Sequence, residues 1–236
     1  MEPISVTQST FNYLKDLIIA GRLAPGQRLD ENMLAKHFNI SRPPLREAFR
    51  FLTHEHLVEN IPRKGTFTSV VTLEDFIELY QARRVVELAA VDLIKENRIK
   101  DFKSIEISLN EELTAKNVYD GTWQSKLDWV TKIQGFHMEL VKCAKNARLS
   151  YFYNAINSNV VRYTYIYHKT AEIKEQIQEH TEIFELIKSN QYAQAKNLIS
   201  EHINIYMNEL FLKDMQNSIE QYISSSIKNE LLGSQN

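Results

Sequence analysis

Two adjacent prolines, Pro43 and Pro44, open an otherwise regular amphipathic pattern in the stretch "SRPPLREAFRFLTHEHLVE", which begins at Ser41. Proline is tolerated in the first turn of a helix because the first backbone N–H groups have no intrahelical acceptor, and its fixed φ suits helix entry. Serine is also a favourable N-cap residue. These residues predict a helix that begins directly after Ser41.

The two faces of this predicted helix differ in chemistry. Its apolar side chains recur at the spacing of one helix face, at Leu45, Ala48, Phe49, Leu52 and Leu57. Arg42, Arg46 and Arg50 follow one another at intervals of four on another face. A solvated surface is one interpretation of that face. An anionic partner is the other, because stacked arginines repel each other unless an anion lies beside them.

A short helix over "DENMLAKHF" is predicted immediately before Ser41, with Met33, Leu34 and Phe38 facing inward. Two short helices joined by a tight turn, the second one basic near its start, are typical of a helix-turn-helix that reads the major groove of DNA. The stretch "ENIPRKGTFTSVV" then predicts a hairpin. Its tip carries basic residues beside Gly65, which indicates a wing that can approach a phosphate or the minor groove.

The rest of the chain has few helix breakers. All five prolines lie before residue 63, and helical periodicity runs on from Thr72. We therefore predict a mainly α protein, with an N-terminal winged helix-turn-helix followed by an all-α bundle of six or seven helices. The predicted domains are residues 1–71 and 72–236, and one helix break is expected at residues 213–216.

Composition restricts the class of protein and the cellular compartment that we expect for it. Residues 1–70 contain nine basic and seven acidic side chains, whereas the remainder contains nineteen and twenty-three, which suits a polyanion-binding head on an acidic body. A single cysteine, Cys143, excludes an intrachain disulfide framework. The sequence has no apolar run long enough for a membrane span and no signal segment, so we expect a cytoplasmic protein without a membrane partner.

The N-terminal third resembles the GntR family of bacterial winged helix-turn-helix regulators, over residues 7–71 and above all in "PGQRLDENMLAKHFNISRPPLREA" and "RKG". The resemblance implies a homodimer that binds a near-palindromic operator in DNA. Pro43 departs from the family, which more often has a small polar residue there. The residues that we expect at the DNA are Arg28, Glu31, Ser41, Arg42, Pro43, Arg46, Arg50, Arg63, Lys64 and Gly65.

Three histidines in the predicted bundle lie on three different helices, in "QGFHMEL", "QEHTEIFELI" and "SEHINIYM". His137, His180 and His202 could converge on a divalent ion, although a lone buried histidine is more often a hydrogen-bonded core residue. The region from about residue 72 to 215 resembles the FCD effector-binding domain of the FadR subfamily. This implies a zinc or nickel site at these histidines. The family's acid four residues before the first histidine is replaced by Ile133, beside Gln134.

The same resemblance implies that a small carboxylate, such as a sugar acid or another organic acid, binds above the metal. Arg83 matches the family's pocket arginine, and Arg162 and Gln134 are further candidates for contacts with the effector. A salt bridge from Arg83 to Glu87, one helical turn later, is the alternative role for that arginine.

Two other functions remain open on the sequence. A metal-dependent hydrolase could use the three histidines, but the chain has no HExxH motif, no glycine-rich phosphate loop, no nucleophile elbow and no acid beside His137 to act as a general base. A DNA-binding protein with a degenerate, ligand-independent pocket is the second alternative. The basic head favours a transcriptional regulator, a repressor or an activator, over an enzyme.

Overall fold

The computed structural model describes residues 5–115, 120–167 and 173–233 of the chain. Contacts divide the chain into two compact units: residues up to Thr72 together with those from Ile219 onward, and Leu73–Ser218. The segment from Ile219 therefore groups with the smaller unit, although the sequence analysis assigned it to the helical body. None of the described helices combines the length and the apolar character that crossing a membrane requires.

The described residues form ten α-helices, a short 3₁₀ turn and a small three-stranded sheet, which confirms the predicted fold class. The smaller unit begins with α1 (Val6–Ile19), β1 (Arg28–Leu29), α2 (Glu31–His37), α3 (Arg42–His54), β2 (Val58–Ile61) and β3 (Gly65–Thr68). The helical body contains α4 (Leu73–Glu96), α5 (Lys103–Ala115), α6 (Trp123–Cys143), α7 (Ala147–Tyr167), α8 (Ile173–Lys188), α9 (Tyr192–Asn204) and the 3₁₀ turn (Ile205–Met207), and α10 (Glu209–Gly233) follows.

The antiparallel sheet of the smaller unit has the order β1-β3-β2. The β2–β3 hairpin was predicted, but β1 was not, because two residues that pair with a strand almost forty positions later leave no local pattern. Pairing of Leu29 with Thr66 closes the sheet, and Leu29 reaches the core. That core is formed by apolar side chains of α1, α2, α3 and the sheet, including Leu14, Ile18, Leu45, Leu52 and Leu57.

The prolines act at the start of α3 as predicted, but Ser41 does not cap the helix with its side chain. Ser41 is the N-cap residue, and its hydroxyl makes no capping hydrogen bond. Such a bond needs the N–H of the second or third helical residue, and these positions are Pro43 and Pro44. Rigid φ angles, rather than a side-chain cap, therefore define where α3 begins.

Two expectations about this region were wrong. Met33 was expected to face inward, but it is 61% exposed, and Leu34 and Ala35 provide the buried face of α2 instead. The helix that begins after Ser41 was expected to continue through "HEHLVE", but it ends at His54. His56 then takes a positive φ of 55°, which redirects the chain into β2.

The helical body has breaks where single residues adopt the left-handed conformation, as at Lys145 and Asn190. The break expected at residues 213–216 was wrong. The interruption lies earlier, in the 3₁₀ turn from Ile205 to Met207 and at Asn208, and α10 continues through residues 213–216. A further break expected near residues 168–172 lies outside the described residues.

Candidate functional site

The first candidate site is the exposed basic surface of the smaller unit. The residues expected at the DNA lie in two places. The recognition helix α3 carries Pro43 and its three arginines, with Glu31 at the start of the preceding helix, and the hairpin tip carries Arg63 and Lys64. Arg42, Arg46 and Arg50 are all exposed. The sequence pattern and the fold therefore agree on an exposed basic face of α3.

Arg46 is held in place by an acid from the preceding helix. Its Nε donates to Oε2 of Glu31 over 2.8 Å, and the Arg46 side chain is still 62% exposed. Arg50 pairs more loosely with Glu47, at 3.2 Å. A cleft of about 650 Å³ lies between this face of α3 and the sheet, where it is lined by Asn60 and Thr66 among others. In the free protein, Glu31 thus orients the guanidinium of Arg46.

The wing depends on backbone conformations at its tip. Arg63 and Gly65 have positive φ angles of 65° and 117°. A Cβ at Gly65 would lie 3.3 Å from Nε of Arg28, so glycine lets the Arg28 side chain lie close against the wing. Arg28 from β1 and the hairpin tip consequently form one basic surface.

The second candidate site is a buried cluster of imidazoles in the helical body. Nε2 of His137 on α6 lies 3.0 Å from Nε2 of His180 on α8, which lies 3.3 Å from Nε2 of His202 on α9. All three side chains are at most 4% exposed. The structure therefore brings together three of the sequence-predicted site residues from three helices.

Each of these histidines has its other ring nitrogen on a carboxylate. Nδ1 of His137 lies 2.9 Å from Glu87, Nδ1 of His180 lies 2.8 Å from Glu112, and Nδ1 of His202 lies 2.6 Å from Glu179. A carboxylate that accepts from Nδ1 fixes the ring orientation and leaves the Nε2 lone pair free for a metal. The three rings are thus arranged as metal ligands usually are.

The spacing of the nitrogens also fits one ion. Two nitrogens bound to the same zinc ion at about 2.0–2.1 Å lie roughly 3 Å apart, as they do here in the His137–His180 and His180–His202 pairs. Three neutral imidazoles suit zinc or nickel and leave coordination positions for water or for a ligand oxygen. The residues present therefore fit a divalent transition metal, held by His137, His180 and His202.

Burial controls the protonation of this cluster. It lowers the pKa of His137 well below the ordinary range and the pKa of His180 to about 3, and it also lowers the pKa of His202. Burial also raises the pKa of the Glu112 carboxyl to about 8. A cation bound at Nε2 of His180 would favour an ionised carboxylate behind that ring, so cation binding would displace the proton of Glu112.

Arg83 joins the cluster through Glu87. Its Nε donates to Oε1 of Glu87 over 2.7 Å, Tyr153 donates to the same oxygen over 3.0 Å, and Oε2 of Glu87 faces His137. The salt bridge that was the alternative role for Arg83 is therefore present. Within the described residues, however, Nη2 of Arg83 is buried and has no hydrogen-bond partner. One group of the guanidinium thus remains available to an anion.

The other expected effector residues lie on α6 and α7. Ile133, four residues before His137, is buried. Gln134 is also buried; it donates from Nε2 to Thr164 over 3.1 Å, and its Oε1 has no hydrogen-bond partner among the described residues. Arg162 is fully buried on α7, the helix that also supplies Thr164.

The carboxylates behind the histidines were missed by the sequence analysis, apart from Glu87 as a partner of Arg83. Glu112 carried a usable signal, because it continues the buried stripe of α5 that includes Ile105 and Leu109, and a fully buried acid needs a partner. Glu179 carried a weaker one: it directly precedes His180, yet its hydrogen bond goes to His202. No local sequence pattern predicts a hydrogen bond between two helices.

Comparison with known proteins gives the family. Residues 7–68 match bacterial regulatory proteins of the gntR family, and residues 78–204 match the FCD domain. The uncharacterized HTH-type transcriptional regulator YdhC of Bacillus subtilis (strain 168) is 32% identical over 82% of this chain and 86% of its own length. The gluconate operon transcriptional repressor of Bacillus licheniformis is 24% identical over 88% of this chain and 82% of its own.

A solved structure of a GntR transcriptional regulator from Rhodococcus sp. RHA1 has the same fold, with a TM-score of 0.68 and 24% identity over 91% of this chain and 97% of that one. These relatives are transcriptional regulators rather than enzymes. The two matched segments leave residues 1–6, 69–77 and 205–236 outside them. The chain belongs to the GntR family of bacterial regulatory proteins and carries an FCD domain.

Proposed function

We propose that this regulator binds a near-palindromic operator as a homodimer and that a small carboxylate effector, bound beside a divalent metal in the helical body, controls its affinity for DNA. The observation that carries the proposal is the histidine cluster. Three buried Nε2 atoms face one another at 3.0 and 3.3 Å, and each ring is held from behind by a carboxylate. Such an arrangement suits a cation better than it suits an apolar core.

Two buried polar atoms without hydrogen-bond partners in the described part of the chain support an acidic effector. Arg83 is buried, and its Nη2 lacks a hydrogen-bond partner among the described residues. An oxygen of a carboxylate would satisfy that nitrogen, and a hydroxyl on the same ligand could donate to the unpartnered Oε1 of Gln134. The metal would supply a Lewis-acidic position for a ligand oxygen. A hydroxy acid meets these requirements, and the similar gluconate operon repressor is consistent with that class.

The effector would act by binding one arrangement of the dimer more tightly than the other, since a ligand shifts an equilibrium only through its differential affinity. We propose that binding releases the operator, which makes the protein a repressor that its effector inactivates.

Metal analysis of the purified protein tests the first half of the proposal. Wild type should retain about one zinc or nickel ion per chain, and His180→Ala should retain none. His54→Ala, which changes an exposed histidine of α3 outside the cluster, is the matched control. A folded wild type that binds no divalent metal when it is supplied would exclude the metal site.

A thermal-shift screen tests the second half. A panel of organic and sugar acids would be added to wild type, with metal and with a chelator, and each hit would then be tested for release of DNA selected by the protein from a random pool. We expect at least one hydroxy acid to raise the melting temperature only with metal and to release the DNA. Acids that bind without changing DNA affinity would favour a ligand-independent regulator.

A further inference from the structure

The last part of α10 lies beyond both matched family segments, and it contacts the end of α1. Residues from Ile219 group with the DNA-binding unit rather than with the helical body. Ile219 and Ser226 are at most 3% exposed. α10 runs without interruption from Glu209, and its residues before Ile219 group with the larger unit, so this contact belongs to a helix that both units share.

The first contact is a hydrogen bond at the C-terminal end of α1. The hydroxyl of Tyr222 lies 2.7 Å from the carbonyl oxygen of Ile18 and 3.2 Å from that of Ile19. The last carbonyls of a helix lack the usual N–H donor one turn later within the helix; the Ile18 carbonyl accepts from the Gly21 N–H over 3.2 Å, and Tyr222 adds a second donor. Tyr222 therefore supplies a side-chain cap from a position 204 residues away in sequence.

The second contact is a close approach at Gly21, two residues after the end of α1. Gly21 has a positive φ of 67°, and a Cβ built on it would lie 2.5 Å from Oγ of Ser226 and 2.7 Å from the ring of Tyr222. A side chain at this position would therefore be strained by the backbone and would also collide with α10. Glycine is required here both by the turn and by the neighbouring helix.

α1 in turn supports the recognition helix. The Phe11 ring packs edge to face on Phe51 of α3 at 5.9 Å, and Lys15 forms an ion pair with Glu55, just after α3, at 2.9 Å. Leu14 and Ile18 are completely buried in the core that α1 shares with α3. A contact that holds the C-terminal end of α1 in place therefore also helps to hold α3 in place.

We propose that the terminal segment of α10, from Ile219 to Ser226, is a working part of the DNA-binding unit, and that Tyr222 is a positioning residue that anchors α1 behind the recognition helix. The proposal is independent of the metal and of the effector. It predicts that DNA binding depends on a segment about 150 residues after the wing in sequence, beyond the residues that match the FCD domain.

Hydrogen exchange on the full-length chain tests the anchor. Tyr222→Phe removes only the hydroxyl, so the amides of Gly21, Arg22 and Leu23, which bond back to the end of α1, should exchange about fivefold faster, as expected for the loss of a single hydrogen bond. Tyr13→Phe is the matched control, because it removes a tyrosine hydroxyl from α1 itself, at a residue that is 47% exposed. It should leave these amides unchanged.

Ser226→Leu is a second variant, which places a larger side chain against Gly21 and should accelerate the same amides more than Tyr222→Phe does. Circular dichroism would verify that both variants are folded. The anchor is refuted if both variants exchange at residues 21–23 within twofold of wild type, or if the acceleration is confined to α10.

Affinity for a duplex selected by wild type from a random pool tests the positioning role. Tyr222→Phe should bind this duplex more weakly than wild type and Tyr13→Phe at the same salt concentration. Equal affinity of all three proteins would mean that Tyr222 stabilises α1 without contributing to DNA binding, and this outcome would overturn the proposal.

Discussion

The two candidate sites each contain an arginine–glutamate pair, and the pairs differ in burial rather than in length. Arg46 and Glu31 of the DNA-binding unit are 2.8 Å apart, with side chains that are 62% and 31% exposed. Arg83 and Glu87 of the histidine site are 2.7 Å apart, with side chains that are 1% and 0% exposed. Solvent screens the first pair and leaves its arginine free to exchange partners, whereas the second pair cannot be broken without leaving a charge buried.

The same difference suits the two ligands. DNA is a large polyanion that replaces water over an exposed surface, and an arginine oriented by a weak pair can turn to a base at little cost. The proposed small acid would bind at a buried site, where Arg83, whose charge is already compensated by Glu87, offers one remaining donor to it. Exposure thus lets the Arg46 side chain change partners, whereas burial holds the Arg83 side chain in one position.

Removing the charge of Glu87 should have the largest effect. Glu87→Gln leaves the buried guanidinium of Arg83 without its counter-charge, so we expect the free energy of unfolding to fall by about 3–5 kcal/mol. Chemical denaturation measures this. Glu31→Gln, the matched change in the exposed pair, should cost about 0–1 kcal/mol.

Replacing the buried pair as a whole sharpens that result. The double change Arg83→Met with Glu87→Leu removes both charges and should recover part of the stability lost in Glu87→Gln. Recovery is incomplete because Tyr153 and Nδ1 of His137 lose their acceptor. Equal losses for Glu31→Gln and Glu87→Gln would contradict the idea that burial separates the two pairs.

Removing Arg46 should weaken DNA binding without weakening the fold. If its guanidinium reads a base, Arg46→Ala should lose about 1–3 kcal/mol of binding free energy and the preference at one operator position. Titration of a selected operator and its single-base variants at fixed salt measures both effects. Lys95→Ala removes one exposed charge from α4 in the helical body and serves as the control. A uniform loss over all base variants would instead assign Arg46 to the phosphates.

The carboxylate behind His202 offers a smaller test of the buried site. Glu179→Gln should reduce metal affinity about 10- to 100-fold, because Glu179 orients the ring through a 2.6 Å bond to Nδ1. Competition with a chelating dye measures the affinity. Glu182→Gln changes an exposed acid on the same helix and should leave it unchanged. Equal affinities for the two variants would remove Glu179 from the site.

The sequence predicted more of the DNA-binding unit than of the histidine site, for a physical reason. The helix-turn-helix depends on neighbours in sequence, such as Pro43 and Pro44 at the start of α3, so a local pattern reports it. The histidine site depends on bonds between helices. His180 and its partner Glu112 are 68 positions apart, and no periodicity joins them.

Where local patterns failed, tertiary contacts had overridden them. Met33 matches the spacing of an inward position, but Leu34 and Ala35 occupy the core instead. The polar stretch at residues 213–216 suggested a break, yet α10 continues through it. The convergence of the three histidines was predicted through the resemblance to the FCD domain, and the carboxylates that hold them became visible only in the fold.

The pH dependence of metal binding is the test of the buried site with the smallest expected effect. Burial raises the pKa of Glu112 to about 8, so below that pH the carboxyl holds a proton that a cation must displace. Metal affinity should therefore rise with pH, by up to about tenfold per unit, and level off above about 8. The histidines contribute no slope near neutrality, because their pKa values are lowered and they are already unprotonated there.

Glu112→Gln has no proton to release and should give a flat profile from about pH 6 to 8.5, with circular dichroism as the check of its fold. Glu179→Gln should keep the wild-type slope, because the hydrogen bond from His202 lowers the pKa of Glu179 and that group is ionised throughout this range. The two variants thus separate a carboxylate that only orients its histidine from one that also exchanges a proton for the metal. An unchanged slope in Glu112→Gln would place the titrating group elsewhere in the cluster.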